Sequence, residues 1–228
     1  ILEAHQKRLD LVKTSIAEAE SVQIHTFLRE GEVDENIFEL SEEKGIDLIV
    51  MGTFGINGLK DRIWGSKTAG LTGKTNVPVM VIPYEYNWKV PEKILLATSF
   101  FEEDRNVLEP ITGLTDAFKA TLHTIIFTDE DTADAALFLE RGMNMADYER
   151  KLKKLLNTES IITGHLSGSK FEDTLQDYIK NNDIDILTMI SYQRSLWDRI
   201  FHPSVTRRMS YHTTIPLLVI PANKKGEE

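Results

Sequence analysis

The stretch IDLIVMGTFGINGLKDRIWGSKTAGLTGKTNVPVMVIP, residues 46–83, decides how this chain is read. It opens on the apolar run IDLIVMG (46–52) and closes on VPVMVIP (77–83). Both runs are short, apolar and bounded by glycine or proline, the pattern of buried strands. Between them the glycines fall as Gly52, two residues, Gly55, nine residues, then Gly65-Ser66. A strand ending in glycine lets the backbone turn sharply and approach a ligand, because no Cβ intrudes. A Gly-Ser-Lys-Thr run at a helix start aims free N–H groups and the positive end of the helix dipole at an anion. The hydroxyls of Ser66 and Thr68 can cap that helix or donate to a phosphate. Ligands of open α/β sheets bind at the carboxyl ends of strands, where this loop lies.

The same two runs recur further on as IDILTMI (184–190) and IPLLVIP (215–221). Asp47 matches Asp185 and Pro78 matches Pro216, an offset of 138 residues at both places. A unit repeated at that distance is a repeated domain. The polar, aromatic stretch YEYNWKVP (84–91) reads as the linker, which gives domains at 1–84 and 92–222.

The later copy reads through without a gap. KILLATSF (93–100) is a strand, DRNVLEPITGLTDAFKA a helix and TLHTIIFT (121–128) a strand. A long helix over about 135–156 and the strand ESIITGHL (159–166) come next, by periodicity. FEDTLQDYIKNN, DILTMIS, VTRRMSYH and IPLLVIP complete it as helix, strand, helix and strand. Strands alternating with helices predict an α/β fold: a parallel sheet with helices on both faces.

The earlier copy enters this pattern partway. Residues 1–18 read as a helix, SVQIHTFL (21–28) as a third strand, and VDENIFELSEEKG as a helix. That last helix has Asp34 or Asn36 as a cap and Gly45 as a stop. Counterparts of the first strand, first helix and second strand are absent, roughly fifty residues by the repeat offset.

Gly-x2-Gly-x9-Gly-[Ser/Thr] after a DLIVMG-type strand and before a VPVMVIP-type strand resembles the universal stress protein family. The resemblance runs over both copies, and its motif is complete in the first. It implies two open parallel sheets of strand order 3-2-1-4-5, similar to adenine nucleotide alpha hydrolases. It also implies bound ATP or another adenine nucleotide, with Gly52, Thr53, Gly55, Gly65, Ser66 and Thr68 lining ribose and phosphates. The family's adenine contacts come from an aspartate ending strand 1 and from strand 2, neither of which the first copy supplies. The family's last strand serves dimer contacts, which implies that runs 77–83 and 215–221 pair within the chain or between two chains. In the second copy Ile190, Gln193 and Pro203 stand where the motif has glycines, and Ser204 stands at the Ser66 position. Side chains then fill the backbone's approach and Pro203 lacks an N–H, so this copy is expected not to bind nucleotide. Ser99 stands where the family places its aspartate.

Composition narrows the alternatives. The formal charge is −10, from 36 acidic and 26 basic residues, which disfavours a nucleic-acid partner. Lys151, Lys153 and Lys154, and Arg207 with Arg208, read as solvated helix faces. Cysteine is absent, which removes disulfides, thiolate metal sites and thiol nucleophiles. No apolar run reaches the ~18 residues that span a bilayer, and the opening ILEAHQKRLDL lacks a signal-peptide pattern. No membrane role and a cytoplasmic location are expected. The six histidines show no paired-ligand spacing, so no metal is expected. Gly73-Lys74-Thr75 lacks the first glycine of a P-loop, and Gly164-His165-Leu166-Ser167-Gly168 lacks the order of a nucleophile elbow. Asp129, Glu130, Asp131 and Asp134 read as a helix entry, and the Asp-Arg-Ile repeated at 61–63 and 198–200 as a loop-docking pair. The expected function is a non-catalytic, nucleotide-responsive stress protein. The alternatives are an interaction or scaffold protein that binds no nucleotide and, last, an ATP hydrolase, for which no general base accompanies the loop.

Overall fold

The computed structural model describes residues 2–20, 22–52, 75–83, 86–131, 133–192 and 214–222. Two helices lead: α1 (Leu2–Glu20) and α2 (Val33–Lys44). Strands β1 (Ile49–Gly52) and β2 (Val79–Ile82) follow, then β3 (Lys93–Thr98), α3 (Arg105–Phe118) and β4 (Thr121–Asp129). The remainder is α4 (Ala135–Leu156), β5 (Ile161–Gly168), α5 (Phe171–Asn181), β6 (Ile186–Tyr192) and β7 (Leu217–Ala222).

The seven strands of the described residues form one sheet, in the order β1-β2-β7-β6-β3-β4-β5. Counted within the second copy, β5-β4-β3-β6-β7 is 3-2-1-4-5, parallel throughout. β1 and β2 are parallel as well, with Ile49 opposite Val79. The two Val-Ile-Pro strands, β2 and β7, pair antiparallel, with Val79 opposite Val219. Through this pairing the two expected sheets are continuous as one mixed sheet. Ladder hydrogen bonds between β2 and β7 satisfy two strand edges that would otherwise face water.

Alternation along β3 explains the two-layer cover. Ile94 and Leu96 join Leu108 and Ile111 of α3 and Tyr148 and Leu152 of α4 on one face. Leu95 and Ala97 join Leu175 of α5, Leu187 and Val219 on the other. Buried on both sides, such strands need apolar residues at every position, which KILLAT supplies. A smaller cluster unites Ile49, Val79 and Val81 with Ile37 and Phe38 of α2.

Helix ends follow local chemistry. Asp104 caps α3 by accepting from the Asn106 N–H at 3.1 Å, and Asp134 caps α4 by accepting from that of Leu137 at 2.8 Å. Gly45 stops α2 in the left-handed conformation, φ 60°, its N–H donating to the Ser41 carbonyl. The start of α2 differs from expectation: Glu32 occupies the cap position without a side-chain bond. Asn36 instead donates from Nδ2 back to the carbonyls of Glu30 and Glu32.

The expected third strand of the first copy is also corrected. Residues 22–30 carry no strand, and β1 ladders to β2 alone among the described residues. A strand needs a neighbour for its backbone, and apolar alternation without one does not make a ladder. Side chains tie this segment to α2 instead. Arg29 pairs with Glu39 and Glu43, and the Lys44 ammonium lies 5.3 Å over the Phe27 ring.

Candidate functional site

The sequence places the candidate site at the carboxyl ends of the strands. In the first copy β1 brings Gly52 there, exposed, with nothing among the described residues within 4 Å of where a Cβ would stand. Thr53, Gly55, Gly65, Ser66 and Thr68 lie outside the described residues, as do the helix expected over VTRRMSYH, both Asp-Arg-Ile triplets, Gln193, Pro203 and Ser204. Ile190, at the position matching Gly52, is buried within β6.

The carboxyl ends of β3, β4 and β5 in the second copy lie among the described residues. Arg141 reaches over them from α4. Its Nη1 donates to the Phe127 carbonyl at 2.8 Å and to Thr128 Oγ1 at 2.7 Å, and its Nη2 donates to the Ser99 carbonyl at 2.6 Å. One planar guanidinium thus spans the ends of two adjacent strands, a use of its fixed fork of donors. Thr128 Oγ1 lies 2.8 Å from His165 Nε2, and the His165 ring is 4.8 Å from that of Phe138. Burial first, then the Arg141 charge, holds His165 below its ordinary pKa. The Thr128 hydroxyl is thus shared, its oxygen accepting from Arg141 while it also bonds to the His165 ring nitrogen.

Beside this cluster Glu102 is 5% exposed, and its Oε1 accepts from the Asp104 N–H at 2.6 Å. The Tyr148 hydroxyl donates to the Glu102 carbonyl at 2.9 Å, and burial pushes its pKa well above the ordinary value. These contacts fix the turn leaving β3. Sequence reasoning singled out Ser99 and missed Arg141, Thr128 and Glu102. Arg141 is an isolated cation in a charged helix, and nothing in its spacing shows that it folds back over two strand ends.

Other sequence-level candidates resolve into structure. Asp129 accepts from the Asp131 N–H, and Glu130 accepts from Ser167, so the acidic turn is bonded within itself and to β5. Lys151 pairs with Glu103 and Asp147, and Lys153 with Glu149 and Glu159. Two surface grooves, of about 620 and 140 Å³, are lined by residues such as Glu149 and Lys153, and Thr115 and Ser160. Both lie at the amino ends of the strands, opposite the end where α/β sheets take ligands. Among the described residues no three His, Asp or Glu side chains gather as a metal site, and no helix is long and apolar enough to cross a membrane.

Comparison with known proteins agrees with this architecture. The model of the universal stress protein family matches residues 2–83 and 91–221. Universal stress protein MJ0531 of Methanocaldococcus jannaschii is 40% identical over 80 residues, 35% of this chain and 46% of that protein. Universal stress protein YxiE of Bacillus subtilis is 36% identical over 76 residues, 33% of this chain and 51% of its own length. The chain thus spans about half the length of these curated relatives. A universal stress protein structure from Archaeoglobus fulgidus superposes with a TM-score of 0.69 at 18% identity, over 98% of this chain and 78% of that one. One from Pseudomonas aeruginosa gives 0.66 at 16% identity, over 95% and 78%, so the likeness to both is one of fold. Two successive family segments, an open α/β sheet and the glycine spacing after β1 lead to one conclusion: the chain belongs to the universal stress protein family.

Proposed function

We propose that this chain is a non-catalytic, cytoplasmic stress protein that binds one adenine nucleotide, ATP or a relative, over the loop following β1. It is read as two domains, 1–84 and 92–222. Gly52, Thr53, Gly55, Gly65, Ser66 and Thr68 hold ribose and phosphates, and the nucleotide orders the loop so as to alter a partner surface. The observation that carries the reading is Gly52, which ends a strand parallel to β2 at the carboxyl edge of the sheet, with nothing among the described residues within 4 Å of where its Cβ would stand. A backbone without Cβ at that place, followed by the spaced glycines, suits close approach of a phosphate. In the second domain Ile190 fills the matching position and Arg141 occupies the strand ends, which supports a single site per chain. The β2–β7 ladder is then the means by which the domains pair, in one chain or between two.

Calorimetry with ATP tests this reading, with phosphate release measured alongside. One site per chain, no hydrolysis and loss of binding in Gly65→Val are expected. Two equivalent sites, or unchanged affinity in the variant, would overturn it. A second reading, a scaffold that binds no nucleotide, draws on exposed apolar side chains of α1, Leu11 at 72% and Val12 at 51%. Absence of any ATP heat would favour it.

A further inference from the structure

The edge of a sheet is where one chain can add to another, because its outward N–H and C=O groups are unmet. The strand β5 forms such an edge and ladders to β4 alone among the described residues. Its register fixes which residues face out. The Leu122 N–H donates to the Ser160 carbonyl at 2.9 Å, and Leu122 stands opposite Ile161. Alternate residues of a parallel strand bond to opposite sides. Ile162, Gly164 and Leu166 therefore turn their backbone groups to β4, while Ile161, Thr163, His165 and Ser167 turn theirs outward.

Part of that outward row is occupied. The Ile161 N–H donates to the Glu159 carbonyl at 2.9 Å. Glu149 reaches from α4 to Thr163, where its Oε2 accepts from the hydroxyl at 3.0 Å and from the N–H at 3.4 Å. Lys153, one helical turn on, holds the other oxygen, Oε1, at 2.9 Å. Towards the far end Glu130 Oε1 accepts from Ser167 Oγ at 2.7 Å. The N–H groups of His165 and Ser167 have no partner among the described residues. The flank of α4 lies close by, since a Cβ on Gly142 would stand 3.8 Å from His165 Nδ1. One turn to either side of Gly142, that flank carries Leu139, 61% exposed, and the small Ala146.

We infer that Glu149 is an autoinhibitory guard on β5, a carboxylate that keeps a second copy of this chain from adding its own β5 to the edge. The arrangement it excludes is antiparallel and twofold, centred on His165. That register sets Thr163 opposite Ser167 of the second copy, so that outward N–H groups meet outward carbonyls. It also turns the two α4 flanks, with Leu139, Gly142 and Ala146, towards each other. A twofold contact needs one patch that complements itself, and this edge has the backbone for it. The acids stand in the way at both ends. Glu149 already holds the Thr163 N–H, and in the twofold register it would meet Glu130 on Ser167 of the second copy, carboxylate against carboxylate. Charged side chains placed on an edge are a means of preventing strand addition. The guard acts whether or not a nucleotide is bound.

The test is Glu149→Ala in the intact protein, followed by sedimentation and by amide hydrogen exchange along β5. In the dilute variant Thr163 should exchange about fivefold faster or more than in the parent, for the bond that protects it is gone. As concentration rises the variant's mass should double, and exchange at Thr163, His165 and Ser167 should slow at least about tenfold, as for amides newly paired in a ladder. The parent's mass should stay constant over the same range. Adding Ser167→Pro to the variant should return the parent's mass, since proline is accepted where the N–H faces outward on an edge but cannot donate to a new ladder. A variant whose mass follows the parent's at every concentration overturns the guard, as does a parent that doubles with the same amides protected. A dimer that survives Ser167→Pro lies elsewhere and overturns it too. Unchanged Thr163 exchange in the dilute variant would show that Glu149 does not hold this N–H.

Discussion

Lys89 and Asp185 form an ion pair that ties the segment between the two halves to the foot of β6. The lysine is largely in water, whereas the carboxylate is buried and also receives the Glu92 and Lys93 N–H groups at 2.8 and 3.0 Å. Lys93 Nζ adds a bond to the Asn182 carbonyl at 2.7 Å, and Trp88 leans on Phe118 with ring centroids 6.1 Å apart. The connection is therefore held to the second half by side-chain contacts as well as by its backbone.

Asp185→Ala should destabilise the protein by about 2–5 kcal/mol, because two backbone donors lose their acceptor. Lys89→Ala should cost less, about 1 kcal/mol or below, since its charge is solvated. Burial raises the Asp185 pKa, but the Lys89 ammonium and the two N–H groups outweigh it and the net shift is downward. A depressed folded pKa gives stability that is present above the unfolded value, about 4, and is lost as pH falls through the folded one. Urea titrations of the protein and of Asp185→Asn between pH 6 and about 2.5 check this, with the variant showing a flatter acid limb.

Arg141→Met should cost about 1–3 kcal/mol, for it leaves the acceptors of Ser99, Phe127 and Thr128 without their shared donor. It should also let the His165 pKa rise toward its ordinary value, since one of the two causes of its depression is removed. A histidine lowered by folding binds its proton more readily in the unfolded chain, so stability rises with pH just below about 6.5. Proton NMR titration of His165 in both proteins reads the shift. No movement in the variant would show that burial alone sets this value.

Thr188→Val should be neutral or stabilising by up to about 1 kcal/mol. Thr188 and Thr124 flank Leu96 on neighbouring strands, both fully buried, and neither hydroxyl has a hydrogen-bond partner among the described residues. Valine keeps the shape and removes the unmet group. Thermal unfolding of the single variant decides; a drop of several degrees would mean the hydroxyl is satisfied in solution.

Val79 and Val219 face each other across β2 and β7, at 1% and 2% exposure. A double-mutant cycle to alanine should give a coupling of about 0.2–1 kcal/mol, the range of opposed side chains in an antiparallel pair. Zero coupling would mean the two strands do not share this register.

What the amino-acid order determined by itself was local. Alternating apolar runs and helical periodicity marked the elements of the second half, with α4 at 135–156, because its core positions recur at the periods of strand and helix. Gly45 at the end of α2 was legible because only a residue free of Cβ strain readily takes the left-handed turn found there. The repeat, and with it the family, was legible for the same reason: matched strands need matched residues. Tertiary structure decided the rest. Residues 22–30 have strand composition but no ladder, since a strand exists only through its neighbour. The joining of two sheets into one depended on which edges met. Arg141 became part of a site only when α4 folded over β3 and β4, bringing it to Ser99, 42 residues away in the chain. Asp47 and Asp185 are the same residue in the same motif, yet one is exposed and the other buried, because burial belongs to the neighbour that covers the strand and not to the strand's own sequence.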